Sequence, residues 1–518
     1  MTLGINIPRS LSLLLSILGG LLTGLSVLNF ETNLFFLGWV GWVPLLFVIA
    51  SPGRKAGGAF FYGWVMGVVT HLMGFYWLCS TMVRFGKIPV PLAFAIFLLG
   101  FAFTSGLSYG IIAMLAKMML RRKVPVAIAL PVAVMIGEFF FPHLFPWTVA
   151  MSLWTVPVTF QTAEIWGICG ISGILAAVNA AVFRKIAHDA GWLAGSRGTN
   201  LTVRIVGALV CFILLYGIVR MDMVDHKARS FPSVNVGIVQ PNVSLERKYN
   251  PSYAMRTLWL LQSASLNLEQ QGAQIVVWPE SAYPFRIPRG QKTDSEGARR
   301  ITTHTGIPII VGAVSYGEGR AYNSTFIATP EGRLIGPSDK NNLVLFGEHN
   351  PLADMVPGPV KKRFPKATSR GLTPGDRPVI LSHMDLRVGV LNCLEDILSN
   401  YTAGVVRTGA NILVNITNDA WFGDSAEPYQ HLSLAVFRTV ETRREMVRSV
   451  NTGVSAAVDL NGRLKYISGT YRQEFVVERM VLSDMKTPYQ ATGNLLRWLC
   501  VAFFVMVLVS RVLGPRPG

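Results

Sequence analysis

Charge is scarce in this 518-residue sequence. Asp, Glu, Lys and Arg make up 15% of it, against 51% hydrophobic residues. A soluble chain of this length needs more charge to cover its surface, so the shortage points to the bilayer. Cysteine is scarce as well. Of the five, Cys79, Cys169, Cys211 and Cys500 lie in apolar runs, which leaves Cys393 alone in the polar part. No disulfide framework is possible there, and no CxxC pair offers a zinc site. The sequence also lacks a nucleotide signature, a solenoid-like repeat and a low-complexity tail, so no metal and no cofactor is expected. Acids are outnumbered, giving a formal net charge of +18, yet residues 232–484 hold 27 Lys/Arg against 23 Asp/Glu, a net of only +4. Nucleic acid would need a basic, aromatic-laced face on that polar part, and is not an expected partner.

What is present is a series of apolar runs, each near the roughly 20 residues that cross a bilayer core as helix. They fall near Leu11–Asn29, Leu34–Ala50, Ala56–Cys79, Val90–Met118, Pro125–Phe141, Thr162–Phe183, Val203–Met221 and Leu495–Val512. Six further runs follow the first before residue 225, so the first does not read as a cleaved signal peptide. The spacing divides the chain into a seven-helix membrane region (1–231), a polar domain (232–484) and a last membrane helix (485–518). Basic residues cluster on alternate sides: Arg9, Arg54, Lys55, Lys117, Arg121, Arg122, Lys123, Arg184, Lys185, Arg197, Arg204, Arg511 and Arg516 share one side, Arg84 and Lys87 the other. The positive-inside rule then puts the N-terminus in the cytoplasm and the 232–484 domain outside it. Glu138 and Glu164, acids inside apolar runs, are functional candidates by default.

The polar domain reads as α/β. Strand-like runs lie at Val234–Val239, Gln274–Trp278, Pro308–Ala313, Asn323–Thr329, Val388–Asn392, Asn411–Ile416 and Ala456–Asp459, with helical patterns at Ser252–Gln271 and His431–Val447. Pro330-Glu331-Gly332 and Asn461-Gly462 are hairpin signals. The Pro-, Lys- and Arg-rich stretch from Pro351 to Pro374 reads as a basic loop.

Three positions in this domain carry chemistry. Glu280 ends the string IVVWPE, where a buried strand opens at a sheet edge; taken alone it fits a capping or loop carboxylate. Lys340 follows a hairpin in GPSDKNNLVLFGEHNP, with Glu348 eight residues on, and taken alone each fits a solvated surface charge. Cys393 sits where RVGVLN passes from strand into a helical stretch, so backbone N–H groups and a helix dipole would favour thiolate, the alternative being an inert buried thiol. In order, the three form a Glu–Lys–Cys set.

That set and its surroundings resemble the nitrilase, or carbon–nitrogen hydrolase, superfamily over about Val234 to Asp484. A nitrilase-like domain set before the last of about eight membrane helices further resembles the apolipoprotein N-acyltransferases of bacterial inner membranes. The strings that carry it are VGIVQPNV, WPESAYP, DKNNLVLFGEHNP, NDAWFGDS, QHLSLAVFR and RSVNTGVSAAVD. Departures occur at Tyr249, where the family has tryptophan, at Leu394, where tyrosine follows the nucleophile, and at Leu345, in place of proline.

The resemblance implies a multi-pass helical bundle with an αββα sandwich, and a reaction that moves a fatty acyl chain from a phospholipid, through a thioester on Cys393, to the N-terminal amine of a lipoprotein's diacylglyceryl-cysteine. It implies Glu280 as base and Lys340 as oxyanion donor with the Leu394 N–H, and Glu348 and Glu395 as supports. Tyr249, Trp421, Phe422 and Met355 are candidates for seating substrate. The implied partners are a phospholipid donor, a diacylated apolipoprotein acceptor and membrane lipid, with the chain expected to be a monomer. The alternative is a membrane-anchored nitrilase-type amidase acting on a small C–N substrate.

Overall fold

The computed structural model describes residues 3–28, 34–84, 86–141, 145–193, 196–344, 347–349, 353 and 371–510. The chain divides into two compact units. The first comprises Met1–Met223, Ser425–Glu441 and Thr487–Gly518, the second Val224–Asp424 and Thr442–Lys486. The stretch from Ser425 to Glu441, which lies within the polar part of the sequence, thus groups with the apolar helices.

In the first unit each apolar run carries a helix. Among the described residues five helices are long and apolar enough to cross a membrane: Arg9–Val27, Ala56–Gly74, Val90–Arg121, Ala163–Asp189 and Gly198–Ala228. Three more, Phe35–Ala50, Val126–Phe140 and Leu495–Val509, are apolar but shorter. The Phe35–Ala50 stretch is short because it starts as a 3₁₀ turn, Phe35–Trp39, and becomes α-helical only at Val43. Asn179 braces the junction: its Oδ1 accepts from the Trp42 N–H at 2.8 Å and its Nδ2 donates to the Gly38 carbonyl at 3.0 Å. Lys117, one of the flanking charges in the sequence, is buried and donates to the Ile49 and Ser51 carbonyls at 2.7 and 3.3 Å. It thereby caps the C-terminal end of that helix.

Both acids of the apolar runs have structural partners. Glu164 accepts from Arg220 Nε and Nη2 at 2.5 and 3.0 Å and also from the Tyr216 hydroxyl, while Glu138 accepts the Val149 N–H at 2.9 Å. Glycines let the helices Ala56–Gly74 and Phe103–Arg121 approach closely. A Cβ on Gly63 would stand 2.5 Å from Ala113 Cβ, and one on Gly67 would stand 2.7 Å from the Gly106 carbonyl oxygen. Such small residues four apart let helix backbones approach where apolar burial gives no drive between helices.

The second unit is a two-sheet sandwich. Its strands are β1 (Ser233–Gln240), β2 (Ile275–Val277), β3 (Ile287–Pro288), β4 (Ile309–Gly317), β5 (Arg320–Ala328), β6 (Leu334–Asp339), β7 (Ile380–His383), β8 (Leu386–Asn392), β9 (Ile412–Thr417), β10 (Met446–Val450), β11 (Ala456–Val458), β12 (Leu464–Ile467) and β13 (Glu474–Val481). One sheet runs β13-β1-β2-β4-β5-β6 with β3 beside β4, and the other runs β12-β11-β10-β9-β8-β7. Alternation puts Val234, Val236 and Ile238 of β1, and Val388 and Val390 of β8, into one core shared by the two inner faces. On the outer face of the first sheet the helix Ala254–Gln270 buries Leu258, Leu261 and Leu268 against Val276, Trp278 and Val311. Outside the second sheet, the helix Ser399–Arg407 packs so closely on β8 that a Cβ on Gly389 would stand 2.7 Å from Val405. The layers are therefore αββα, as the sequence resemblance implied.

One expectation shifts. The helix placed at His431–Val447 runs Glu427–Thr442, and the residues after it form β10, whose Val447 belongs to the inter-sheet core. Strands β6, β7, β12 and β13 had no clear signal in the sequence. Both hairpin signals hold, joining β5 to β6 and β11 to β12.

The glycine contact yields a test. Gly67→Ile should lower the thermal midpoint of the detergent-solubilised chain, since overpacking costs about 1–3 kcal/mol. Gly57→Ala, with nothing within 4 Å of the added carbon, should leave it unchanged. Equal midpoints for both variants would remove the packing role given to Gly67.

Candidate active site

Local chain geometry delivers three side chains to one place. After β2 the chain passes Trp278 and Pro279 to Glu280, and Ser281 takes φ +46°. The bend needs Gly312 on β4, because a Cβ there would stand 2.6 Å from the Pro279 carbonyl oxygen and 2.7 Å from the Ser281 nitrogen. Lys340 directly follows β6, its N–H held by the Asn323 carbonyl at 2.8 Å. Cys393 follows β8 with φ +52°, in the left-handed region that side chains rarely occupy.

The structure brings Glu280, Lys340 and Glu348 together. Lys340 Nζ lies 3.2 Å from Glu280 Oε1 and 2.9 Å from Glu348 Oε1. Asn323 Nδ2 donates to the same two carboxylates at 2.6 and 3.3 Å, and the Val344 N–H holds the second oxygen of Glu348 at 3.0 Å. Burial opposes the Lys340 charge, yet Glu280, Cys393 and Glu348 together hold its pKa well above the ordinary lysine value. Burial pushes the Cys393 thiol well above its usual range; Lys340 pulls it down, while Glu280, Asp419 and Glu348 add to the rise. The sequence expectation of a thiolate-favouring helix end is thus corrected. The element after Cys393 is a five-residue 3₁₀ turn, Cys393–Ile397, whose short dipole does not offset the loss of water.

Glu395 ties the lysine and cysteine segments. Its Oε1 accepts the N–H groups of Asn341 and Asn342 at 2.7 and 2.9 Å, next to Lys340, and its Oε2 accepts the Asn392 N–H at 2.9 Å, next to Cys393. Burial lifts its pKa to about 7, against the pull of these backbone donors. Four donors, counting Asn342 Nδ2 at 3.3 Å, face oxygens that must accept, which favours the ionised form.

Residues missed in the sequence complete the site. Asn415 on β9 donates through Nδ2 to the carbonyls of Leu391 and Cys393, both at 3.0 Å, and accepts from Thr417 Oγ1 at 2.7 Å and Arg448 Nη1 at 3.1 Å. Arg448 in turn meets Asp396 at 2.5 Å and Asp419 at 3.2 Å, all three fully buried or nearly so. This web holds the strained cysteine turn from behind. Lys248 donates to the Glu280 carbonyl oxygen at 2.7 Å, and burial lowers its pKa to about 8 despite the raising effect of Glu280 and Cys393. An Asn within β9 and an Arg within β10 were the only sequence signals for Asn415 and Arg448.

Of the substrate-seating candidates, Tyr249 and Trp421 are exposed with ring centroids 6.1 Å apart. Phe422, next to Trp421 in sequence, is half-buried, as is Leu394 after Cys393. Met355 lies outside the described residues.

A thiol, an acid and a buried ammonium so arranged suit nucleophilic acyl transfer through a covalent intermediate. Known proteins resemble the chain in both of its parts. A family model for the N-terminal domain of apolipoprotein N-acyltransferase matches residues 19–181, and the carbon–nitrogen hydrolase model matches residues 235–485. The apolipoprotein N-acyltransferase of Geobacter metallireducens is 30% identical, over 96% of this chain and 94% of that protein. That of Bdellovibrio bacteriovorus is 28% identical, over 86% and 84% respectively. Among solved structures, an amidase from Nesterenkonia sp. aligns with TM-score 0.37 and 17% identity, covering 51% of this chain and 95% of that one.

The charges around the sulfur fix a pH test. With the other four cysteines replaced by serine, the alkylation rate of Cys393 should rise with pH along a thiol titration. Lys340→Met removes the charge that pulls the pKa down, so its profile moves to higher pH; Glu280→Gln removes one that raises it, so its profile moves to lower pH. A midpoint unmoved in both variants would mean that neither charge reaches the sulfur.

Proposed function

This chain belongs to the apolipoprotein N-acyltransferase family, and from that premise we propose that it moves a fatty acyl chain from a phospholipid to the N-terminal amine of a diacylated lipoprotein through a thioester on Cys393. The observation that carries the reading is the Lys340 ammonium, held between Glu280 and Glu348 with the Cys393 thiol in its field.

The reaction divides into two halves. In the first, Glu280 takes the thiol proton and the sulfur attacks a donor ester carbonyl. Lys340 and the N–H of Leu394 receive the developing oxyanion. The carbon–oxygen bond breaks, Glu280 returns the proton to the departing lysophospholipid alcohol, and the acyl thioester remains. In the second, the lipoprotein amine attacks the thioester carbonyl, Glu280 takes a proton from nitrogen, and the carbon–sulfur bond breaks to restore the thiol. Glu348 positions Lys340, and Glu395 positions both the lysine and cysteine segments. Tyr249, Trp421 and Phe422 offer apolar faces to acyl chains. No cofactor is needed, because ester and thioester exchange conserves every electron pair.

A membrane setting suits lipid substrates. Exposing an acyl chain to water costs about 0.8 kcal/mol per CH₂, and chains delivered from the bilayer avoid that cost. The bacterial inner membrane, with the second unit on the periplasmic side, is the location this reading requires. It is supported by the clustering of basic residues on alternate loops.

Two measurements check the proposal. Purified full-length chain incubated with phospholipid should gain one fatty-acyl mass on Cys393, and a diacylated peptide with a free amine should discharge it. Cys393→Ser should form no adduct, while Glu280→Gln and Lys340→Met should slow single-turnover acylation about 10²–10³-fold. Normal turnover by Cys393→Ser, or hydrolysis of simple amides in place of acyl transfer, would defeat it. For the orientation, reporter fusions at Lys123 should report cytoplasm and fusions at Tyr322 periplasm; the reverse pattern would overturn the assignment.

A further inference from the structure

Beside the catalytic acid lies a second cleft whose lining has a chemistry of its own. It encloses about 380 Å³ and is lined by Arg247, Tyr253, Arg256, Thr257 and Gln473 among others. Arg247 comes from the short helix Leu245–Lys248 and Arg256 from the first turn of Ala254–Gln270. The Arg247 guanidinium lies 5.8 Å from the centre of the Tyr253 ring, within reach of a cation–π contact. Both arginines are exposed, and neither has a carboxylate within 4 Å among the described residues. Two planar forks of N–H donors, two hydroxyls and the Gln473 amide suit a ligand rich in acceptor oxygens and negative charge.

Position gives the cleft its meaning. Pro241, Val243 and Thr257 line this cleft and also a small cavity bounded by Lys248 and Glu280. Consecutive residues therefore face two neighbouring spaces, Arg247 toward the cleft and Lys248 toward the catalytic acid. We propose that the Arg247–Arg256 cleft is a phosphate-binding subsite that takes the phosphodiester of the acyl donor. This rests on the reading of the donor as a phospholipid. In such a lipid the ester carbonyls and the phosphate hang from one three-carbon glycerol. A phosphate held in a cleft adjoining Glu280 therefore limits where an ester carbonyl can lie, and directs it toward Cys393. Specificity for phosphate-bearing donors over neutral glycerides follows from the same contacts, since an arginine pair left without its anion loses charge-assisted bonds.

The test separates the cleft from the chemistry. In the Cys393→Ser chain, which cannot turn over, calorimetry measures the affinity for dihexanoyl phosphatidylglycerol, for dihexanoylglycerol and for inorganic phosphate. Arg247→Gln and Arg256→Gln should each weaken the phospholipid about tenfold, leave dihexanoylglycerol unchanged, and be partly restored by lysine at the same position. Inorganic phosphate that competes with the phospholipid marks the site as one for the free anion as well; failure to compete marks it as reading phosphate only on a lipid. Either result keeps the phosphate assignment, provided that the arginine variants weaken the phospholipid. In the native-cysteine chain the same variants should raise the apparent KM for the phospholipid donor about tenfold with kcat unchanged. Phospholipid affinity equal in the variants and their parent overturns the subsite. So does weakened affinity with an unchanged donor KM, which would place the bound phosphate away from the reacting lipid. If the native-cysteine chain forms no acyl adduct from any donor, the acyltransferase reading fails, while the calorimetry still decides whether the cleft binds phosphate.

Discussion

A lysine ammonium taken out of water must be answered by charge nearby, and much of the second unit's local design follows from that demand. The side chain of Lys340 is 1% exposed. An unpaired ammonium there would shed its proton, so the fold brings Glu280 from the end of β2 and Glu348 from beyond β6 to within 3.2 Å of it. Two carboxylates on one cation leave excess negative charge, and Asn323 relieves part of it by donating to both. The backbone meets the same demand. Glu280 reaches the lysine because Gly312 gives room to the Pro279–Ser281 bend, and Ser281 takes a left-handed conformation to complete it. Chain positions far apart in sequence are thus bound to one charge.

The same electrostatics sort the roles proposed for the three residues. Glu280 raises the thiol's pKa, so as a fixed negative charge it hinders thiolate formation. Its value to the reaction is as an acceptor: once the proton passes to it, the charge that opposed the thiolate is gone. Lys340 acts the opposite way at both stages. It draws the thiol toward ionisation and then faces the oxyanion of the tetrahedral intermediate. One cation thus serves nucleophile and intermediate in turn, which is why it must lie inside the site and not at its rim.

Sequence showed the chemistry better than the scaffold that holds it. Glu280, Lys340 and Cys393 sit at strand ends, and strand ends are marked by apolar runs stopping at Pro, Asp or Asn. The flanking strands β8 and β9 were legible because both of their faces are buried, giving unbroken apolar strings. Strands β12 and β13 were not, because their half-exposed faces mix Lys, Tyr, Glu and Arg with aliphatic residues. Asn415 and Arg448 escaped for a different reason. A polar residue inside a strand carries no sign of whether it meets a carbonyl across the sheet, and Asn415 gains its meaning only when β8 and β9 pair in parallel beneath Cys393. The thiol's electrostatics misled for a similar reason: a strand-to-helix junction reads alike whether the helix is long or a five-residue turn, and only the long one carries a useful dipole. In the apolar helices, likewise, Glu164 showed no partner in the sequence, and only the fold brings Arg220 to it.

Burial of the cysteine bears on how a thioester could outlast the water around it. Cys393 is 9% exposed, and burial is the largest influence on its pKa. A thiol so stored is weakly reactive toward oxidants and adventitious electrophiles, because the thiolate is the nucleophilic form. Ionisation becomes favourable only when a carbonyl stands ready to take the sulfur's electrons and Lys340 to take the oxygen's charge. The arrangement thus links activation of the sulfur to arrival of the acyl group. The low exposure that raises the pKa also limits water's approach to the carbon that the sulfur would carry. An amine held by its own lipid chains then has an advantage that water lacks: it arrives anchored, at high effective concentration, along the path its acyl groups choose. Transfer over hydrolysis, in this account, is a consequence of the burial that makes the nucleophile slow to ionise.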